Sequence, residues 1–223
     1  MDKNIYLFIN HDYIPLKTSN IIKRIACLVI YTYLIIITVE IRTPKGYDMV
    51  SFSADYALPY VIFFSVFAII ISAIIFIVHR INKYWTSNFI RGITYSYLSI
   101  LALWSSLVSF DGQNIYVENV IFLILEIFLF ILCSTIFLLI LLKMTIPKFE
   151  ENQGKDNQKY LALIPSLVVA FRVIFATLNN DTAMLVFSLS LYLLSILFSF
   201  KSVEFLTKVY FAKKLHKTGD GST

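Results

Sequence analysis

Long apolar stretches separated by short polar connections dominate this chain. A helix needs about 20 apolar residues to cross the hydrocarbon core of a bilayer. Stretches that reach or approach this length lie at 21–41, 57–78, 93–110, 119–142, 160–178 and 183–200. Charges are almost absent inside them, which favours helices over a membrane barrel with its alternating polar face. The pattern predicts an all-α polytopic membrane protein with six transmembrane helices.

The same pattern divides the chain into three parts. We expect 1–20 to be a cytoplasmic or interfacial lead, 21–200 to be the six-helix bundle, and 201–223 to be a basic cytoplasmic tail. The third stretch is the most polar. Because lipid cannot satisfy its hydroxyl groups, neighbouring helices must shield them. We therefore expect the third span to lie inside the bundle.

Composition supports a membrane protein. Hydrophobic residues make up 58% of the 223 residues, and charged residues make up 15%. Soluble domains average about 45–50% apolar and about 25% charged residues. A single core of this size cannot bury the excess apolar surface, so lipid must cover it.

The basic residues predict the orientation. Sixteen of the nineteen Lys and Arg residues lie in the N-terminal segment, the second and fourth connections, or the C-terminal segment. The other three are Arg42 and Lys45 in the first connection and Arg172 inside the fifth stretch. In multi-pass membrane proteins, the connections on the cytoplasmic side of the membrane carry an excess of Lys and Arg. We expect a multi-pass protein of the cell membrane with both termini in the cytoplasm. Such a basic inner face either attracts anionic lipid headgroups or reflects topology alone.

Motifs for metal, nucleotide or nucleophilic chemistry are absent from the sequence. Cys27 and Cys133 lie in different spans, and the histidines are scattered without ligand spacing. There is no Walker motif, dinucleotide loop or nucleophile elbow. We expect no metal, no cofactor and no nucleic-acid partner. The predicted partners are the bilayer and, if transport is driven by ATP, a separate ATPase or other membrane subunit.

Two charged residues inside the spans are the strongest candidates for function. Glu126 and Arg172 both fall roughly 10 Å below the outer boundary, given a rise of ~1.5 Å per residue. An unpaired charge at that depth costs several kcal/mol, so an ion pair between them is predicted.

Polar and aromatic residues fall at a similar depth in the neighbouring spans. We take four of them as candidate ligand-binding residues together with the charged pair: Trp104, Ser105, Ser106 and Ser188. This layer has two interpretations. It is either a ligand pocket open to the exterior or a set of hydrogen bonds that join helices.

The last third of the chain resembles the closing hairpin of small six-span membrane proteins from low-GC Gram-positive bacteria. The resemblance covers about fifty residues and depends chiefly on the element Ala170-Phe171-Arg172 and an aromatic tail. It implies a fold and no particular activity. In size and topology the chain is also similar to substrate-binding subunits of vitamin-type ABC importers and to bacteriocin-immunity proteins.

Three functional hypotheses follow. The first is a non-enzymatic subunit that binds or transports a small solute or lipid-like molecule through a polar site in the outer half. The alternative is an accessory or immunity-type protein that acts through helix–helix contacts. The third is an intramembrane lipid-modifying enzyme, in which Glu126 would be the base.

Overall fold

The computed structural model describes residues 2–10, 18–42, 58–81, 85–111, 120–147 and 182–219. Every regular element in these ranges is helical, which confirms the predicted all-α class. A π-helical segment, Leu141–Thr145, continues the fifth helix. The six helices are α1 Asp2–Asn10, α2 Thr18–Arg42, α3 Leu58–Ile81, α4 Thr86–Asp111, α5 Val120–Ile140 and α6 Thr182–Gly219.

Five of these helices correspond to predicted spans. The helices α2, α3, α4 and α5 match the first four stretches, and α6 begins where the sixth was expected. Three segments in the described part of the chain are long and apolar enough to cross a membrane: Ile62–Ile81, Leu123–Lys143 and Ser188–Leu215. The predicted fifth span at 160–178 lies outside the described residues.

The fourth helix is the centre of the bundle. It packs against α2, α3 and α6, and its contact with α6 is the most extensive in the structure. Ser99, Ser105 and Ser106 are buried on α4 together with Leu101 and Ala102. The predicted interior position of the third span is therefore confirmed, and neighbouring helices cover its hydroxyl groups.

The contact between α4 and α6 is built from small residues at a seven-residue spacing. Ser202 Oγ donates to the carbonyl of Gly92 at 3.1 Å, and Ser99 Oγ donates to the carbonyl of Ser195 at 2.8 Å. A third contact, between Ser106 and Ser188, continues the series. Moving seven residues forward along α4 therefore corresponds to moving seven residues backward along α6. The two helices are antiparallel, with a repeat typical of tightly packed helix pairs.

These three contacts are named here the serine ladder: Gly92–Ser202, Ser99–Ser195 and Ser106–Ser188. Small residues let two backbones approach closely, so that a hydroxyl on one helix reaches a carbonyl on the other. At Gly92 an added Cβ would lie 2.7 Å from Cδ2 of Leu206, so the Leu206 side chain would have to move.

The sixth helix is much longer than the sequence pattern predicts. It contains 38 residues, a length of about 57 Å, whereas the hydrocarbon core is about 30 Å thick. Helix formation continues past residue 200 because Phe205, Val209 and Ala212 on one face remain buried. The residues expected to form a basic tail are therefore helical as far as Gly219, and this part of the helix is packed through Phe205, Val209 and Ala212.

The short first helix packs against the far end of this long helix. Its residues Ile5, Phe8 and Ile9 form a cluster with Leu141, Ile146 and Ala212, which is named here the end cluster. The side-chain amide of Asn4 donates to the carbonyl of Pro147 at 2.7 Å. The cluster ties the N-terminal segment to the ends of α5 and α6.

We predict that Gly92→Val destabilises the protein by about 1–3 kcal/mol, because the added side chain overpacks the crossing at Leu206. Leu206→Ala in the same chain should restore part of the loss by making room. Unfolding in detergent by a denaturant titration measures both effects. Ala73→Val, which adds similar bulk to an exposed position on α3, is the control. Equal losses in Gly92→Val and Ala73→Val would contradict the close crossing.

Candidate functional site

The structure describes five of the six candidate site residues. Ser105, Ser106, Ser188 and Glu126 are buried, whereas the side chain of Trp104 is 49% exposed. Arg172 lies outside the described residues. The candidates therefore do not all face one space, and Trp104 points away from the buried serines.

Ser106 and Ser188 are joined by two reciprocal hydrogen bonds. Ser106 Oγ donates to the carbonyl of Ser188 at 2.8 Å, and Ser188 Oγ donates to the carbonyl of Ser106 at 2.9 Å. Both residues have no exposed surface. Each hydroxyl is thus used to hold α4 against α6, in the manner of the interhelical alternative raised by the sequence.

Glu126 lies in the most apolar of the helices and is 1% exposed. The hydroxyl of Tyr192 on α6 donates to the backbone carbonyl of Glu126 at 2.8 Å, and Tyr192 is itself buried. This contact joins α5 to α6 at the depth of the acid. The ion pair of Glu126 with Arg172 stays a prediction.

Further hydroxyl contacts connect the other helices to the same core. The hydroxyls of Ser134 and Ser199 lie 2.7 Å apart between α5 and α6. Thr32 Oγ1 and the hydroxyl of Tyr97 lie 2.9 Å apart between α2 and α4. Polar side chains within the bundle therefore form contacts between helices along its length, and not in a single layer.

A second group of buried charges lies near the end cluster. Lys208 on α6 is 0% exposed, and its Nζ lies 3.0 Å from Oε1 of Glu204. The same Nζ lies 5.1 Å from the centroid of the Phe8 ring and 5.3 Å from that of Phe205. The guanidinium of Arg91 on α4, also buried, lies 5.2 Å from the Phe205 centroid.

The sequence pattern missed this group for a definite reason. It assigned Lys208 and Glu204 to a basic cytoplasmic tail and Arg91 to a connection, so none was considered a buried residue. The spacing of Phe205, Val209 and Ala212 at three and four residues was the available signal, since it marks one face of a continuing helix.

The described residues offer few side chains that could bind a metal ion. The described ranges contain no group of three or more His, Cys, Asp or Glu side chains that could hold a metal ion. Cys133 is buried, and Cys27 is exposed on α2.

Comparison with protein-family models, curated proteins and solved structures gave no match to this chain.

The Ser106–Ser188 contact predicts a loss of stability on removal of either hydroxyl. Ser106→Ala and Ser188→Ala should each lower the free energy of unfolding by about 0.6 kcal/mol, the average for hydrogen bonds within membrane bundles. The two losses should add in the double variant, because each hydroxyl donates to a backbone carbonyl that the other substitution leaves in place. Thr135→Val removes the hydroxyl of an exposed residue that bonds within its own helix, and it is the control. Unfolding in detergent that shows no loss in either serine variant, or equal losses in the control, would show that the reciprocal bonds contribute nothing.

The predicted ion pair has a separate test. Glu126→Leu and Arg172→Met should each lower the free energy of unfolding by about 3–5 kcal/mol, because each leaves a buried charge without its partner. The double variant should recover much of the loss. If the double variant loses the sum of the two single effects, the residues are not paired.

Proposed function

We propose that this is an accessory membrane protein, with six crossings and both termini in the cytoplasm, that acts through contacts with other membrane components. The observation that carries the proposal is the reciprocal bonding of Ser106 and Ser188, which have no exposed surface. A hydroxyl that donates to a backbone carbonyl of the opposite helix holds the two helices together, and a side chain with no exposed surface does not present itself to a solute.

The direction of the helices supports six crossings. Glu126 contacts Tyr192, and farther along both helices Ser134 contacts Ser199, so α5 and α6 run the same way. The chain that leaves α5 must therefore return to the opposite end of the bundle before α6 begins. The connecting residues, 148–181, contain the predicted fifth span, which would supply this return.

The position of the end cluster supports the orientation. It gathers α1, the end of α5 and the last part of α6 at one end of the bundle. Trp85, just before α4, packs against the same cluster. The chain segments at this end carry most of the basic residues, so the positive-inside rule favours a cytoplasmic location for it.

The outer faces of the bundle suit an accessory role. The helices α3 and α5 expose large apolar side chains, among them Ile62, Ile69, Ile121 and Phe128. Such faces contact lipid or the helices of another membrane protein. An immunity-type protein, to which this chain is similar in size and topology, would contact its partner through these apolar faces.

A solute- or lipid-binding subunit is the second candidate. Glu126 favours it, because an acid held at 1% exposure in an apolar helix is a functional feature by default in membrane proteins. In that case Glu126, with Arg172, would anchor the ligand.

Labelling tests the topology. In a chain lacking Cys27 and Cys133, an impermeant thiol reagent should react from outside with Lys45→Cys, Gly112→Cys and Asn180→Cys. It should leave Lys83→Cys, Gln153→Cys and Lys213→Cys unmodified until the membrane is opened. External labelling of Gln153→Cys would contradict the six-crossing arrangement.

Locking the bundle tests the function. In the same cysteine-free background, Ser106→Cys with Ser188→Cys is cross-linked by mild oxidation, which fastens α4 to α6. An accessory protein should still complement a deletion strain and return it to the wild-type phenotype, because it does not need these helices to separate. Ser106→Cys alone, oxidised in parallel, is the control. Loss of function only in the cross-linked protein would favour the second candidate, the solute- or lipid-binding subunit.

A further inference from the structure

The first helix occupies a groove at the end of the bundle. Its apolar residues Ile5, Phe8 and Ile9 recur at spacings of three and four, so they share one face, and all three are buried. This face packs against the part of the end cluster that comes from α5 and α6, and that part is named here the end groove: Leu141, Ile146 and Ala212. An amphipathic helix with anchors at these spacings, seated in an apolar groove, is a recurring form of peptide recognition. The helix α1 is thus seated as a helical ligand would be.

The π-helical end of α5 shapes this groove. The N–H of Ile146 donates to the carbonyl of Leu141, five residues earlier, at 3.0 Å. In an α-helix two residues five apart point about 140° away from each other. The wider turn brings them closer to one face, and both side chains are buried. Single π turns within α-helices occur frequently at functional sites. Here the π turn gives α5 two contacts in the end groove instead of one.

The attachment of α1 is slight. It has nine residues, fewer than the roughly 12–15 that an isolated helix needs in water. Its helical form therefore depends on its docking. Among the larger contacts between helices, its contact with α6 is the smallest. Three apolar side chains and the hydrogen bond from Asn4 to Pro147 are the main contacts that offset the ordering of the whole segment.

The docked helix also covers a charge. The ring centroid of Phe8 lies 5.1 Å from Nζ of Lys208, which is fully buried beside Glu204. Lysine normally keeps its ammonium group in water, and burial of a charge is costly even in an ion pair. Departure of α1 would expose the Lys208 ammonium to water, which offsets part of the contacts that are lost. Docking of α1 is therefore suited to be reversible.

We propose that α1 is a detachable cover, and that the end groove binds an amphipathic helix of a partner protein whose polar face is acidic. Charge complementarity favours the acidic face. From residue 201 to Gly219, α6 carries five Lys and one Glu, whereas α1 carries one acid and one base. An acidic helix therefore gains an attraction that α1 lacks. This partner gives the accessory role a definite contact, and in that sense the inference rests on the proposed function.

Thiol labelling in detergent tests whether α1 leaves the groove. The full chain carries Ala212→Cys, at a position that α1 covers, and Cys27→Ser, which removes the exposed native thiol. We expect Phe8→Ala to raise the rate of maleimide labelling at position 212 by about tenfold or more, since the loss of this anchor favours the open form. The native thiol of Cys133, buried between α5 and α6, is the internal control and should keep its rate. Equal acceleration at both thiols would contradict a local opening.

A disulfide holds the cover in place. In a chain lacking the native cysteines, Asn4→Cys with Pro147→Cys is oxidised, because these two residues are joined by a hydrogen bond of 2.7 Å in the docked form. The cross-linked protein should keep the end groove closed until a reductant is added. Asn4→Cys alone, treated in the same way, is the control.

Peptide binding tests the occupant. The probe is a fluorescein-labelled peptide of residues 2–10 with Lys3→Glu and Asn10→Glu, two exposed positions of α1, and its anisotropy is followed. It should bind Phe8→Ala about tenfold or more tightly than the parent, because α1 no longer competes. It should not bind the cross-linked protein. The peptide of unchanged sequence should bind more weakly, and salt should reduce the difference.

Specific outcomes would overturn the proposal. Equal peptide binding to the parent, Phe8→Ala and the cross-linked protein would place the peptide elsewhere. Failure to bind a Phe8→Ala chain whose position 212 has become reactive would show that the open groove accepts no helix. Circular dichroism and gel filtration check folding, and Ile5→Ala replaces Phe8→Ala if that variant does not fold. Unchanged labelling at position 212 in the folded variant rejects the cover. These measurements do not involve complementation, so they can fail while the accessory role is supported, or the reverse.

Discussion

The hydrogen bonds from serine hydroxyls to backbone carbonyls between α4 and α6 are the interaction on which this bundle depends. Lipid tails are as apolar as leucine, so helices in a membrane gain little from burying apolar side chains against each other. Close packing and polar contacts must supply the association instead. The serine ladder supplies both, because Gly92 and the serines that face it are small and the serines can donate to the opposite helix.

The central position of α4 follows from this contact. A helix with so many hydroxyl groups is poorly suited to face lipid, and pairing with α6 buries the Ser99 and Ser106 hydroxyls while leaving other sides of α4 for α2 and α3. Tyr97 lies on a side of α4 that faces α2 and α3. Its hydroxyl contacts Thr32 on α2 and also donates to the carbonyl of Phe64 on α3 at 3.2 Å. Each such bond contributes modestly, about 0.6 kcal/mol on average, so the arrangement depends on their number and common register.

The sequence was sufficient to predict the helical class, the approximate positions of α2 to α5, and the burial of the hydroxyl-rich third stretch, since apolar length and hydroxyl content decide these directly. It did not predict that α4 begins at Thr86, seven residues before the third stretch. It was also sufficient to identify Glu126 as buried. It did not predict the partner of α4, because the seven-residue spacings of Gly92, Ser99 and Ser106 and of Ser188, Ser195 and Ser202 are informative only when the two are aligned in opposite directions. Trp104 was grouped with its serine neighbours by depth alone, although adjacent residues on a helix point in different directions. Lys208 was missed because a charged residue beyond an apolar stretch is normally solvated, whereas here Phe8 and Glu204 cover it.

The most direct test of the account is the register of α4 against α6, measured as distances between spin labels by pulsed electron resonance. The label pairs occupy exposed positions, Trp104 with Ser190 and Trp104 with Tyr210. The serine ladder places Trp104 level with Ser190, and it places Tyr210 twenty residues farther along, about 30 Å away. We predict a short distance for the first pair and a distance longer by roughly 20 Å for the second. Equal distances for the two pairs, or a shorter distance for the second pair, would contradict the predicted register. So would a displacement of α6 along α4 by about 10 Å, the length of one seven-residue step.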